Sequence, residues 1–115
     1  MSEPSDAELA ARYRPVIEAE LADLGRATEA TSTDRKPVEL DQQSVGRLSR
    51  MDAMQGQAMA AAVEARRGQR RVALQAALRR LEEGEFGWCA GCGGFIGTGR
   101  LDVDPVAVIC IACAQ

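Results

Sequence analysis

Trp88-Cys89-Ala90-Gly91-Cys92-Gly93-Gly94 and Val108-Ile109-Cys110-Ile111-Ala112-Cys113 hold all four cysteines of the 115-residue chain, as two CxxC pairs separated by 17 residues. Two residues between the thiols of a pair let both sulfurs turn toward one ion while nearby backbone amides donate to them. The glycine after Cys92 suits the left-handed turn that such a knuckle needs. This spacing lies in the range of zinc sites. Four soft thiolates, with no histidine anywhere in the chain, favour one tetrahedral zinc ion, with iron as its imitator. Cys89, Cys92, Cys110 and Cys113 are therefore the expected ligands, and a closed four-thiolate shell makes the ion structural. A dithiol redox pair and disulfides are the competing readings.

Between the pairs lie Phe95, Ile96, Arg100, Leu101, Val103, Pro105, Val106 and Val108, too short a stretch for an independent domain. A turn or short hairpin is expected there, its apolar side chains covering the metal. Arg100 either offsets the charge of the thiolates or is simply exposed.

Upstream of the first pair the pattern is helical. Leu9, Tyr13, Val16, Ile17, Leu21 and Leu24 recur at steps of three and four, one face of a helix over about 6–29. Ser5 and Glu8 suit its capping box, while Pro15 predicts a kink or a late start. Residues 30–37 read as a turn, rich in capping and helix-ending types. From Val38 to Glu83 there is no proline and an abundance of Ala, Leu, Met, Gln and Arg, which predicts one long helix. Leu40, Leu48, Met51, Ala58, Ala62, Ala65 and Val72 follow a rough heptad, the expected seam of an antiparallel hairpin. Leu74, Leu78 and Leu81 are left for the finger or a partner. The fold class is thus mainly α: a helical hairpin arm over 1–84 and a four-cysteine finger over 85–115.

A net charge of -3 and a pI of about 5.0 disfavour a general polyanion binder, and sequence-specific DNA binding is not expected. Nothing in the sequence approaches the roughly 20 apolar residues of a membrane span, and there is no signal-peptide pattern, so a cytoplasmic protein is expected. Without histidine, a phosphate-binding glycine loop or a nucleophile-base pair, the chain does not read as an enzyme.

The run Glu85-Phe86-Gly87-Trp88-Cys89-Ala90-Gly91-Cys92-Gly93, with Ile96, Arg100-Leu101, Pro105 and Cys110-Ile111-Ala112-Cys113, resembles the DksA/TraR family of zinc-finger transcription factors. The resemblance implies a regulator that binds bacterial RNA polymerase directly, inserts a helical hairpin into its secondary channel and alters open-complex stability, with ppGpp as a candidate co-effector. It also implies acidic residues at the hairpin tip. The family's DxxDxA pattern does not occur here; Asp34 in the turn and Asp41 at the start of the second helix take those places, with plain helix capping as the competing role. Counting back from the first cysteine leads instead to Asp52. The polar segment from Asp41 to Arg50 reads as a contact surface, with Gln43, Ser44, Arg47 and Arg50 as candidates, or as a solvated helix face. Two other functions fit the residues: a zinc-stapled interaction module, including a homodimer built on the Ala-rich helix, and a thiol sensor that loses zinc on oxidation.

Overall fold

The computed structural model describes residues 3–35 and 47–115, and within them the side chains of Asp34 and of residues 47–49 are left aside. Two long helices dominate: α1, Asp6–Ala30, and α2, Arg47–Glu83. Between them Ser32–Arg35 forms a single 3-10 turn, and the finger adds two short helices, α3 at Thr98–Val103 and α4 at Ile111–Ala114. The chain divides into two compact units, residues 1–22 with 71–115 and residues 23–70.

Ser5 starts α1 as its sequence suggests: its hydroxyl oxygen accepts the Glu8 amide at 3.2 Å, satisfying one of the donors left open at a helix start. The helix runs through Pro15 without a break. One lost backbone bond is outweighed by the packing on either side of it, for Leu9, Tyr13 and Ile17 are all buried. Val16, expected on the same face, points away and is 51% exposed.

These three residues meet Leu74, Ala77 and Leu81 of α2 and Phe86, Cys89, Ile96 and Leu101 of the finger, the buried hydrophobic residues of the first unit. Tyr13 and Phe86 stack with ring centroids 5.2 Å apart. Of the leucines left for the finger or a partner, Leu74 and Leu81 are therefore buried inside this unit, while Leu78 is half-buried. The finger and the root of the helix pair share one core, which is why the units do not part at 84/85. Gly84 ends α2 with φ of 75°, a conformation cheap only for glycine. Arg80 O then accepts the amides of both Glu85 and Phe86. This turn throws the chain from the helix straight into the first cysteine pair.

The second unit is built differently. Arg50, Ala53, Gln57, Ala60, Glu64 and Arg67 of α2 are half-buried, whereas Met51, Ala58, Ala62 and Ala65, expected to form the seam, are exposed; so is Val72 in the other unit. The correction has a simple cause. Stepping back by sevens from the buried Leu81 and Leu74 leads to Arg67, Ala60 and Ala53, so the apolar root fixes a helix phase that the alanines do not share. Leu40 and the side chain of Leu48 lie outside the described residues. Polar contacts hold the seam here. Thr28 Oγ1 donates to Glu64 at 2.7 Å, and Arg35 and Arg67 each lie 3.5 Å from the Glu64 carboxylate. Both guanidinium groups also donate to Thr31 Oγ1.

The expected start of the second helix near Val38 falls in residues 36–46, outside the description. Asp41, Gln43 and Ser44 fall there too.

Candidate metal centre

The finger opens with a tight knuckle. Gly93 donates to Cys89 O at 2.9 Å and Cys89 donates to Gly94 O at 2.8 Å. Gly93 has φ of 74°, the left-handed turn anticipated from the glycine after Cys92. Trp88 and Phe95 form an isolated antiparallel bridge and meet edge to face, with ring centroids 5.6 Å apart. The short hairpin expected between the pairs is thus reduced to this one bridge.

The chain then turns into α3, which the sequence does not announce because two of the first residues around it, Gly97 and Gly99, are poor helix formers. Leu101 decides the matter by being fully buried. Val103, expected to cover the metal, is 86% exposed on the other side of the same helix.

Cys110 follows an extended backbone and starts α4. Its knuckle is tied to the first pair by Ala90 N donating to Val108 O at 2.8 Å. Arg100 neither floats free nor faces the thiols: its Nε donates to Ile109 O at 2.8 Å, bracing the residue just before Cys110.

These ties bring the sulfurs of Cys89, Cys92, Cys110 and Cys113 within 4.8 Å of one another. A tetrahedron of zinc-sulfur bonds of about 2.3 Å has edges of about 3.8 Å, and the Cys92 and Cys110 sulfurs stand 3.8 Å apart. Room for the donor set is built in. A Cβ on Gly91 would stand 3.1 Å from the Cys113 sulfur, so only glycine leaves that sulfur undisturbed. The Cys89 sulfur accepts the amides of Gly91 and Cys110, each at 3.3 Å. Backbone donation, that of Cys110 foremost, pulls the Cys89 thiol down to about 6. Without a cation among them the sulfurs work against each other: hydrogen bonds to the neighbouring cysteines, Cys110 first, push Cys113 up to about 12. Four thiols this close need a divalent ion to be thiolates together. The donor set, the spacing and the space all fit zinc.

A second linkage was not visible in the sequence because its partners are far apart in it. Asp102 of α3 accepts Tyr13 Oη at 2.8 Å and Arg12 Nε at 3.1 Å. The hydrogen bonds from Arg12, then from Tyr13, hold the Asp102 carboxyl below its usual value. Burial, and then the bond to Asp102, push Tyr13 up to about 12. It is the chain's single tyrosine, so a phenolate absorbance titration reads it alone. The transition is expected near 12, and Asp102→Asn should bring it closer to the usual 10 or so. A lowered carboxyl contributes stability above its unfolded pKa of about 3.9 and loses it as the pH falls through the folded value. The melting temperatures of wild type and Asp102→Asn should therefore differ most near neutrality and converge in acid.

Of the other residues singled out in the sequence, Asp34 lies in the 3-10 turn and Arg47 begins α2. Arg50 is half-buried, its Nε enclosed without a hydrogen-bond partner. Asp52 is exposed on α2. None of these is near the cysteines in sequence, and the described residues do not gather them into one site.

A helix pair whose root is packed around a four-thiol knuckle defines a C4-type zinc-finger protein. Residues 84–115 match the family described as prokaryotic dksA/traR C4-type zinc finger, and the chain is a DksA/TraR-like zinc-finger protein. Over 40 residues it is 42% identical to the RNA polymerase-binding transcription factor DksA of Haemophilus influenzae, a match covering 35% of this chain and 28% of that relative. The DksA of Escherichia coli K12 is 40% identical over 40 residues, 35% of this chain and 26% of the relative. The aligned segment thus spans little more than a quarter of these relatives. A solved structure, that of transcription factor DksA2 from Pseudomonas aeruginosa, is similar over 95% of this chain and 70% of its own, with 27% identity and a TM-score of 0.56. The likeness to that structure extends through the helices, well beyond the finger. Among the described residues no helix is long and apolar enough to cross a membrane.

Proposed function

We propose that this chain is a transcription regulator that binds bacterial RNA polymerase directly, in the cytoplasm, and is not an enzyme. The observation that carries the reading is the joint one: a finger segment shared with relatives named for polymerase binding and a helix pair that follows the DksA2 fold over 95% of the chain. In this reading residues 1–84 are the working arm and 85–115 the finger. Cys89, Cys92, Cys110 and Cys113 each give a thiolate to one structural zinc ion, which supplies charge balance and cross-linking. The arm enters the secondary channel of the polymerase and changes the lifetime of open complexes, with ppGpp as candidate co-effector. Asp34 and Asp41 act at the tip, with Gln43, Ser44, Arg47 and Arg50 beside them. Sequence-specific DNA binding plays no part. Arg67 of α2 is already engaged by Glu64 and Thr31.

The test is binding of the zinc-loaded protein to core RNA polymerase, competed by a known secondary-channel occupant. Micromolar or tighter binding, lost to the competitor, is expected. The Asp34→Asn, Asp41→Asn double variant should still bind but leave open-complex lifetime unchanged. No binding by a folded, zinc-containing sample would sink the proposal.

A further inference from the structure

In the unit formed by residues 23–70, α2 is turned inside out. Every buried hydrophobic residue described belongs to the other unit. Here the half-buried face of α2 carries Arg50, Gln57, Glu64 and Arg67 beside the small Ala53 and Ala60, while Met51, Met54 and Met59 stand 51%, 60% and 70% exposed on the outside. A surface helix ordinarily does the reverse. Met51, Gln55, Ala58, Ala62, Ala65 and Gln69 are all exposed, recur at steps of four and three, and include no charge.

We propose that this outer stripe is a dimer seam, pairing with the same stripe of a second copy in the antiparallel sense about a twofold axis near Ala58 and Ala62. A twofold interface must be complementary to itself, and this stripe is. Its layers would be Met51 on Gln69 of the other copy, Gln55 on Ala65 and Ala58 on Ala62, each repeated by symmetry. Large or polar side chains fall at the ends and alanines at the centre, where small residues let helices approach closely. The charges agree with this register. Asp52 and Arg66 are both exposed and sit on the same flank, two heptads apart. Antiparallel pairing sets Asp52 between the Met51 and Gln55 layers, and Arg66 of the other copy between those same two layers. Two opposite-charge pairs result, with Met59 meeting its own counterpart at the axis. Flanking charges of this kind fix partner and orientation in paired helices. From Met51 to Gln69 the stripe is about 27 Å long, short for a permanent interface, so the dimer should be reversible at micromolar concentration. The inference stands on the α2 surface and does not depend on the polymerase reading.

Sedimentation velocity of the full zinc-loaded chain across the micromolar range tests it, with circular dichroism to confirm that each variant stays helical. The wild type should pass from monomer to dimer. Asp52→Arg and Arg66→Asp, both on exposed positions, should each weaken the dimer about tenfold or more by setting like charges opposite one another, and the combined Asp52→Arg, Arg66→Asp variant should return to within about threefold of wild type. Ala62→Glu should abolish it. A wild type that stays monomeric throughout overturns the proposal. So does a dimer indifferent to both charge reversals. If the monomer is the only species and Ala62→Glu instead weakens polymerase binding, the face belongs to that partner and not to a second copy.

Discussion

Stripping the metal from this protein with a chelator is expected to unfold residues 85–115 and to loosen the packing of both long helices at their root. Four-thiolate sites of this type bind zinc with about 10–16 kcal/mol at neutral pH, and in so small a finger that binding is largely folding free energy. Few other interactions hold the knuckles: one isolated bridge, a handful of backbone hydrogen bonds and the Arg100 brace. The loss should not stop at the finger. Phe86, Ile96 and Leu101 close the core over Leu9, Tyr13 and Ile17, so their departure exposes the inner face of α1. Trp88, half-buried beside Phe95, is the reporter. Its fluorescence and the near-ultraviolet dichroism should change sharply on chelation and return on adding zinc, while the far-ultraviolet helical signal falls only in part. A milder version is Gly91→Ala, whose Cβ would press on the Cys113 sulfur; it should keep the fold but release zinc to a competing chelator more readily. An apoprotein that melts cooperatively at the holoprotein's temperature would disprove a structural role for the metal.

The second large effect separates the two possible seams of α2. Leu74→Ala is expected to cost about 2–5 kcal/mol, the usual range for emptying a fully buried leucine site. Val72→Ala, two residues away and 63% exposed, should change stability by no more than about 0.5 kcal/mol. Urea titration of the zinc-loaded protein measures both. If the heptad through Met51, Ala58, Ala65 and Val72 were the true inner seam, the order would reverse, because Val72 would then sit in the helix pair and Leu74 outside it.

That comparison also marks where the sequence was legible. The cysteine spacing and the glycine after Cys92 led directly to the knuckle, because a metal site is fixed by local geometry. Ser5, Leu9, Tyr13 and Ile17 placed α1 correctly, for a strong 3.6-residue period survives one proline. The phase of α2 was misread since alanine and methionine look like core and arginine looks like surface. The signal that decides it, counting by sevens from Leu81 and Leu74, depends on knowing that those leucines are anchored. Helix α3 could not be anticipated from Gly97 to Gly99, and neither could the Asp102 tie, since its donors, Arg12 and Tyr13, lie 90 and 89 positions away.

That last separation bears on how the protein is made. Leu9, Tyr13 and Ile17 are synthesised well before the groups that cover them, Phe86, Leu101 and Asp102, which follow dozens of residues later in the chain. At about 5–20 residues per second, some seconds pass in which α1 has an apolar face and nothing to lay it on. Loop closure over so long a stretch costs only slightly more than over a short one, so the finished protein is little burdened by this wiring. The nascent chain is the exposed party, and cellular zinc supply governs how promptly its N-terminal helix finds its cover.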